Sequence, residues 1–194
     1  RWTEAASAIA SSIGSAAGIG AGIIAILTNR VAFVSMPWRI PGGTIVLRID
    51  ALAGIFLLVI FSVAGLISVY GFWYWSARDH PRTAPQLRCL FALMTIGMAV
   101  VVSAAQTILF LVAWEVMAVA AFFLVATDDD APAVRRAAWV YLIATHIGTA
   151  CLFAAFALLH TLNGNYLLQR PTSGASTSVV FVLALIGFGL KAGL

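Results

Sequence analysis

Glu115, Lys191 and His146 are the side chains of this 194-residue sequence whose type and position point to chemistry. All three are ionisable, and each lies deep within a long apolar run. Glu115 is the single charge between Cys89 and Ala126, Lys191 lies thirteen residues into the run that begins at Val179, and His146 lies ten residues into Ala137–Leu159. A charge at the centre of a membrane helix costs roughly 2.5–3.5 kcal/mol on insertion scales. Two of them in a short chain are therefore expected to face each other or a wet cavity. Closeness of opposite charges keeps both ionised, whereas desolvation pushes each toward neutrality. A pair held between those pulls can load and release protons, and lysine suits the task because its pKa falls readily on burial. The competing reading is a static ion pair that fixes helix packing. A lone histidine such as His146 is commonly a hydrogen-bonded packing residue, and two other buried ionisable residues leave a proton relay open as the alternative. His80 and His160 fall at the ends of apolar runs and read as interface residues without chemistry.

The sequence around the lysine is Gly187-Phe188-Gly189-Leu190-Lys191-Ala192-Gly193. Glycine weakens an α-helix, and broken helices at mid-membrane are a recurrent way to build an ion site. A helix break beside Lys191 is the expectation.

The elements that must position these residues follow from composition. Hydrophobic residues make up 62% of the chain and charged ones 9%, against roughly 25% charged in a soluble domain. A soluble fold of this size cannot hide that much apolar surface, whereas a lipid bilayer can. The fold class is all-α: a polytopic transmembrane bundle of about six helices, forming a single partial membrane domain over residues 1–194. The spans are read as 5–27, 51–70, 89–105, 106–126, 137–159 and 179–194. Cys89–Ala126 would be roughly 57 Å long as one straight helix, against a hydrocarbon core of about 30 Å. It is therefore expected to fold back near Ser103–Gln106–Thr107. Thr28–Asp50 reads as a polar connection with a turn at Pro41-Gly42-Gly43, and Phe72–Trp75 as an aromatic belt at headgroup level. In the first span Gly14, Gly18 and Gly22 recur every fourth residue, a small-xxx-small face that lets helices approach closely. Glu4 and the length of this run favour a true span over a signal peptide. The sequence starts at Arg1 and stops at Leu194 inside an apolar run, so both ends read as cut.

The net charge of +4 is carried by scattered arginines and reads as membrane topology, with no nucleic-acid partner. Arg1, Arg78, Arg82, Arg88, Arg135 and Arg136 fall on one side, and Arg30, Arg39, Arg48 and Arg170 on the other. The balance favours a cytoplasmic N-terminus. Cys89 and Cys151 have no ligand partner at metal spacing and read as small core residues. With no cysteine cluster, nucleotide loop or metal-ligand spacing, no metal or cofactor is expected in the chain. Asp128–Asp130 with Arg135 and Arg136 form a charged loop.

Three stretches carry a family resemblance. Leu111-Val112-Ala113-Trp114-Glu115-Val116-Met117 resembles the Trp-Glu helix of the antiporter-like subunits of respiratory complex I, and Gly187–Leu194 resembles the lysine-bearing broken helix of the same family. Arg135-Arg136-Ala137 with Tyr141–Ala150 is most similar to the branch in group 4 membrane hydrogenases (hydrogenase-4 and formate hydrogenlyase). The resemblance implies an inverted-repeat fold in which this chain would run from the second helix into the seventh, without the second repeat. It also implies a glutamate–lysine proton pair at Glu115 and Lys191, with a neighbouring histidine role at His146. The implied function is a proton-translocating, non-redox membrane subunit of a complex I-like oxidoreductase, of the hydrogenase or NADH-quinone type. Its partners would be other membrane subunits and a soluble redox arm, and its location the bacterial inner membrane. The alternatives are an Mrp-type cation/proton antiporter subunit and the membrane module of an inorganic-carbon uptake complex.

Overall fold

The structure, a computed structural model, describes residues 2–38, 44–127, 131–169 and 177–193, with the backbone alone for 2–5. Arg1, Arg39, the Pro41-Gly42-Gly43 turn, Asp128–Asp130, Arg170 and Leu194 lie outside the described residues, as does the side chain of Glu4. The described residues form six helices: α1 (Trp2–Thr28), α2 (Ala51–Tyr74), α3 (Thr83–Ser103), α4 (Thr107–Val125), α5 (Pro132–Asn163) and α6 (Thr177–Ala192). Five are long and apolar enough to cross a membrane, and α6 is a shorter apolar helix. The chain is a multi-pass membrane protein. Large apolar side chains such as Ile24, Leu66, Val140 and Phe153 face outward. In water that surface would be costly, whereas in lipid it costs nothing, and the interior can be built from small residues that bring backbones close.

Packing follows chain order, each helix lying antiparallel against the next, with α1–α2, α3–α4 and α5–α6 the most intimate pairs. In α1, the small-residue face is used in part. A Cβ on Gly22 would come within 2.7 Å of the Gly54 carbonyl, and one on Gly18 would enter the Phe61 ring, but Gly14 faces open space. The stripe is thus largely an internal α1–α2 contact.

One expectation is corrected. The connection read as merely polar, Thr28–Asp50, holds an antiparallel hairpin of β1 (Ala32–Pro37) and β2 (Thr44–Ile49), with Ala32 opposite Ile49 and Pro37 opposite Thr44. The bundle is all-α apart from this hairpin. Its sequence is rich in β-branched residues, and the arginines that bracket it masked that signal. α6 runs unbroken through Gly187 and Gly189 and leaves helical geometry beside Lys191, at Gly193, whose φ is +89°. Helix interiors tolerate glycine where a neighbour's backbone closes in, and Gly187 does just that.

The fold-back between α3 and α4 is an extended segment of three residues. There Ala105 donates its N–H to the Val46 carbonyl (3.0 Å), Leu168 donates to Ala105 (2.9 Å), and Thr107 donates to Tyr166 (2.8 Å). The hairpin, this turn and the loop after α5 are thereby knitted together at one end of the bundle, satisfying backbone groups that would otherwise be stranded between helix ends. Asp50 caps α2, accepting from the Ala53 N–H at 2.9 Å and pairing with Arg48 at 2.7 Å. The Ala53 hydrogen bond, with help from Arg48, holds the Asp50 carboxyl below its ordinary pKa. At the other end of α5, Gly164 ends the helix in the left-handed region (φ +70°), where glycine carries no Cβ penalty.

Candidate functional site: an ionisable cluster inside the bundle

Glu115 projects from the middle of α4 toward α5 and α6. Lys191, 76 residues further along, reaches across from α6 and donates from Nζ to Glu115 Oε1 at 2.9 Å. The lysine side chain is 1% exposed and the glutamate 28%. An ammonium so deeply buried needs a compensating charge, and Glu115 supplies it. Trp114, next to the glutamate, lays its ring 5.4 Å from Nζ, within reach of a cation–π attraction. Phe188 tilts against Trp114 at 5.4 Å and Phe110 meets it edge-on at 4.9 Å, closing an aromatic wall beside the lysine.

His146 on α5 faces the second carboxylate oxygen, with Nε2 3.5 Å from Glu115 Oε2, and it is 51% exposed. Its Nδ1 lies 2.9 Å from the Leu142 carbonyl. A carbonyl can only accept, so Nδ1 carries the hydrogen. That leaves Nε2 as the nitrogen aimed at Glu115. Exposure falls from His146 through Glu115 to Lys191. Tyr141 lies within electrostatic reach of the same carboxylate.

Thr149 completes the cluster and was missed at the level of sequence. Its hydroxyl hydrogen-bonds Glu115 Oε1, the oxygen that also accepts from Lys191. Leu142, Thr145, His146 and Thr149 follow helical spacing on one face of α5, so the pattern was available once His146 was singled out. Gly148 was missed as well. A Cβ there would lie 2.9 Å from the Gly187 carbonyl and 3.2 Å from Lys191 Cγ. Gly148 and Gly187 thus let α5 and α6 touch backbone to backbone, which lowers the lysine onto the glutamate.

The remaining expected residues sit elsewhere. His80 stacks on Trp75 at 3.9 Å, and His160 on Tyr166 at 3.9 Å, both at helix ends. Cys89 is exposed rather than a core residue, and Cys151 is half-buried. Among the described residues, no group of three His, Cys, Asp or Glu side chains could hold a metal ion. A cavity of about 690 Å³ runs from Arg48 and Asp50 to the outer faces of Phe110, Trp114 and Phe188. The arrangement brings an ammonium, a carboxylate and an imidazole, each able to hold a proton, into one cluster.

Residues 104–194 match the family described as NADH:quinone oxidoreductase/Mrp antiporter, transmembrane. The chain is 30% identical over 166 residues to an uncharacterised protein of Mycobacterium tuberculosis, covering 84% of this chain and 26% of that one. Hydrogenase-4 component B of Escherichia coli is 26% identical, over 76% of this chain and 22% of its own length. The chain therefore spans about a quarter of the length of these relatives. The fold is also that of a subunit in the membrane-bound sulfane sulfur reductase, an archaeal respiratory membrane complex, with a TM-score of 0.73 at 19% identity over 97% of this chain and 37% of that one.

Proposed function

We propose, for a chain whose residues 104–194 match the NADH:quinone oxidoreductase/Mrp antiporter membrane family, that it translocates protons within a complex I-like oxidoreductase of the hydrogenase or NADH-quinone type. The observation that carries this reading is the buried Lys191 ammonium held 2.9 Å from Glu115 inside the membrane helices. Electron transfer takes place in partner subunits and shifts charge near the pair. With Glu115 ionised, Lys191 stays charged. Drawing the glutamate's charge away, or protonating it from His146 Nε2, removes the compensation, and the lysine passes its proton to a water or base supplied by the rest of the full-length subunit. His146 recharges from its exposed side. The membrane is the bacterial inner membrane, and the partners are further membrane subunits and a soluble redox arm. The same pair would serve a cation/proton antiporter of the Mrp type, which the family's description includes. Dependence of transport on electron donor separates the two.

The test exchanges the proton carrier for a charge that cannot deprotonate. A guanidinium stays protonated at any physiological pH. Lys191→Arg in the full-length subunit within its complex is expected to preserve assembly and abolish proton uptake into vesicles. Normal pumping by assembled Lys191→Arg complexes would end the proposal.

A further inference from the structure

Thr149 has one hydroxyl hydrogen and two acceptors within reach. Its Oγ1 hydrogen-bonds Glu115 Oε1 and lies 3.0 Å from the Thr145 carbonyl of its own helix. One hydrogen cannot serve both, so the hydroxyl has two settings. Facing an ionised Glu115 it donates to Oε1, alongside the Lys191 ammonium. Facing a protonated Glu115 it turns its hydrogen to the Thr145 carbonyl and accepts the carboxyl hydrogen on its lone pairs. Neither setting strands a buried polar group, which would cost about 1–3 kcal/mol. The backbone does not have to move, because a hydroxyl rotor reorients about one bond.

We propose that Thr149 is the positioning residue of the proton pair: its hydroxyl reverses between donor and acceptor as Glu115 loses and gains a proton, keeping the carboxyl hydrogen-bonded in both states and aligned on Lys191. This rests on the proposed role of Glu115 and Lys191 and goes beyond it by assigning the group that lets the carboxyl cycle. The ionisable groups facing Glu115 are Lys191 from α6 with His146 and Tyr141 from α5. Neither Lys191 nor His146 can make the reversal, and Tyr141 meets Glu115 through its charge alone. An ammonium only donates, Nε2 stands 3.5 Å from the other carboxylate oxygen, and the Nδ1 hydrogen is committed to Leu142.

Hydrogen bonds to a charged acceptor are stronger than those between neutral groups. Loss of the hydroxyl therefore penalises the ionised carboxylate more than the acid. The test uses the full-length subunit in its complex, with the near-isosteric Thr149→Val, with Thr149→Ser, which keeps the hydroxyl, and with the smaller Thr149→Ala, which needs no added room. Glu115 protonation is followed by infrared difference titration of its carboxyl C=O band, assigned by its loss in Glu115→Gln. Proton uptake into vesicles is measured across pH and normalised to assembled complex. Thr149→Val and Thr149→Ala are expected to move the Glu115 midpoint up by about one to two pH units and to carry the uptake profile with it. Thr149→Ser is expected to restore both. A wild-type midpoint and profile in Thr149→Val or Thr149→Ala overturns the assignment, and so does a Thr149→Ser complex as impaired as the valine variant with losses that follow yield. If Glu115→Gln and Lys191→Arg pump normally, the pair's role fails and Thr149's falls with it. If those two stop pumping while Thr149→Val does not differ from wild type, the threonine's role alone is refuted.

Discussion

Gly148→Ala adds one methyl group where the structure leaves no room for it. The new Cβ would lie 2.9 Å from the Gly187 carbonyl oxygen, 3.2 Å from Lys191 Cγ and 3.3 Å from Leu190 Cβ, all on α6. Ordinary carbon contacts begin near 3.4 Å, so α6 must retreat by about 0.5 Å against the carbonyl. That neighbour is backbone and cannot swing aside as the end of a side chain could. Such overpacking costs about 1–3 kcal/mol. The retreat is aimed at the Glu115–Lys191 ion pair. The Lys191–Glu115 hydrogen bond is 2.9 Å long, and N–H···O bonds weaken beyond about 3.2 Å, so the same displacement takes it out of range. Proton uptake per assembled complex is expected to fall about tenfold or more, the factor that roughly 1.4 kcal/mol of lost coupling produces. Electron transfer should fall less. Gly71→Ala is the control, because that position has nothing within 4 Å. The assay is proton uptake beside donor oxidation in the same vesicles, with thermal unfolding of the purified complex as the packing readout. Gly148→Ala complexes that pump and melt as wild type would refute the backbone contact as the device that seats the lysine.

Gly22→Ala is expected to lower the melting temperature of the complex through the 2.7 Å approach to the Gly54 carbonyl, at a cost of about 1–3 kcal/mol. Gly14→Ala, in open space, should be neutral or stabilise by up to about 1 kcal/mol of helix propensity. Asp50→Ala removes the α2 cap and should cost about 1 kcal/mol in an equilibrium unfolding measurement at neutral pH. Because the folded state holds the Asp50 pKa below its ordinary value, its contribution is present above that value and lost as pH falls through the lowered one. The difference between wild type and variant should therefore persist from pH 8 to 5 and shrink only in strong acid. In a background without Cys89 and Cys151, cysteines at Arg78 and Ala133 are expected to label from one face of the membrane, and a cysteine at Val34 from the other. Labelling of Arg78 and Ala133 from opposite faces would contradict the helix order.

Membrane embedding and the number of helices were legible in the sequence because both depend on local averages. An apolar run either reaches the length of a bilayer crossing or it does not, and the fold-back at Ser103–Thr107 followed from length alone. The identity of the chemically charged positions was legible too, since Glu115 and Lys191 violate the solvent they sit in. Sequence could not decide what those residues touch. Their contact spans 76 positions, and it exists because Gly148 and Gly187 bring two backbones together, a property of a pair of helices rather than of either one. Gly187, beside Lys191, signals helix weakness when α6 is considered alone, and is a contact surface once α5 lies against it. The hairpin was overlooked because its arginines look like a loop, and pairing between Ala32–Pro37 and Thr44–Ile49 is itself a tertiary event. Thr149 carries no charge and raises no alarm in a hydropathy reading. Only the fold, by setting its hydroxyl against the Glu115 carboxylate, gives that oxygen a chemical task.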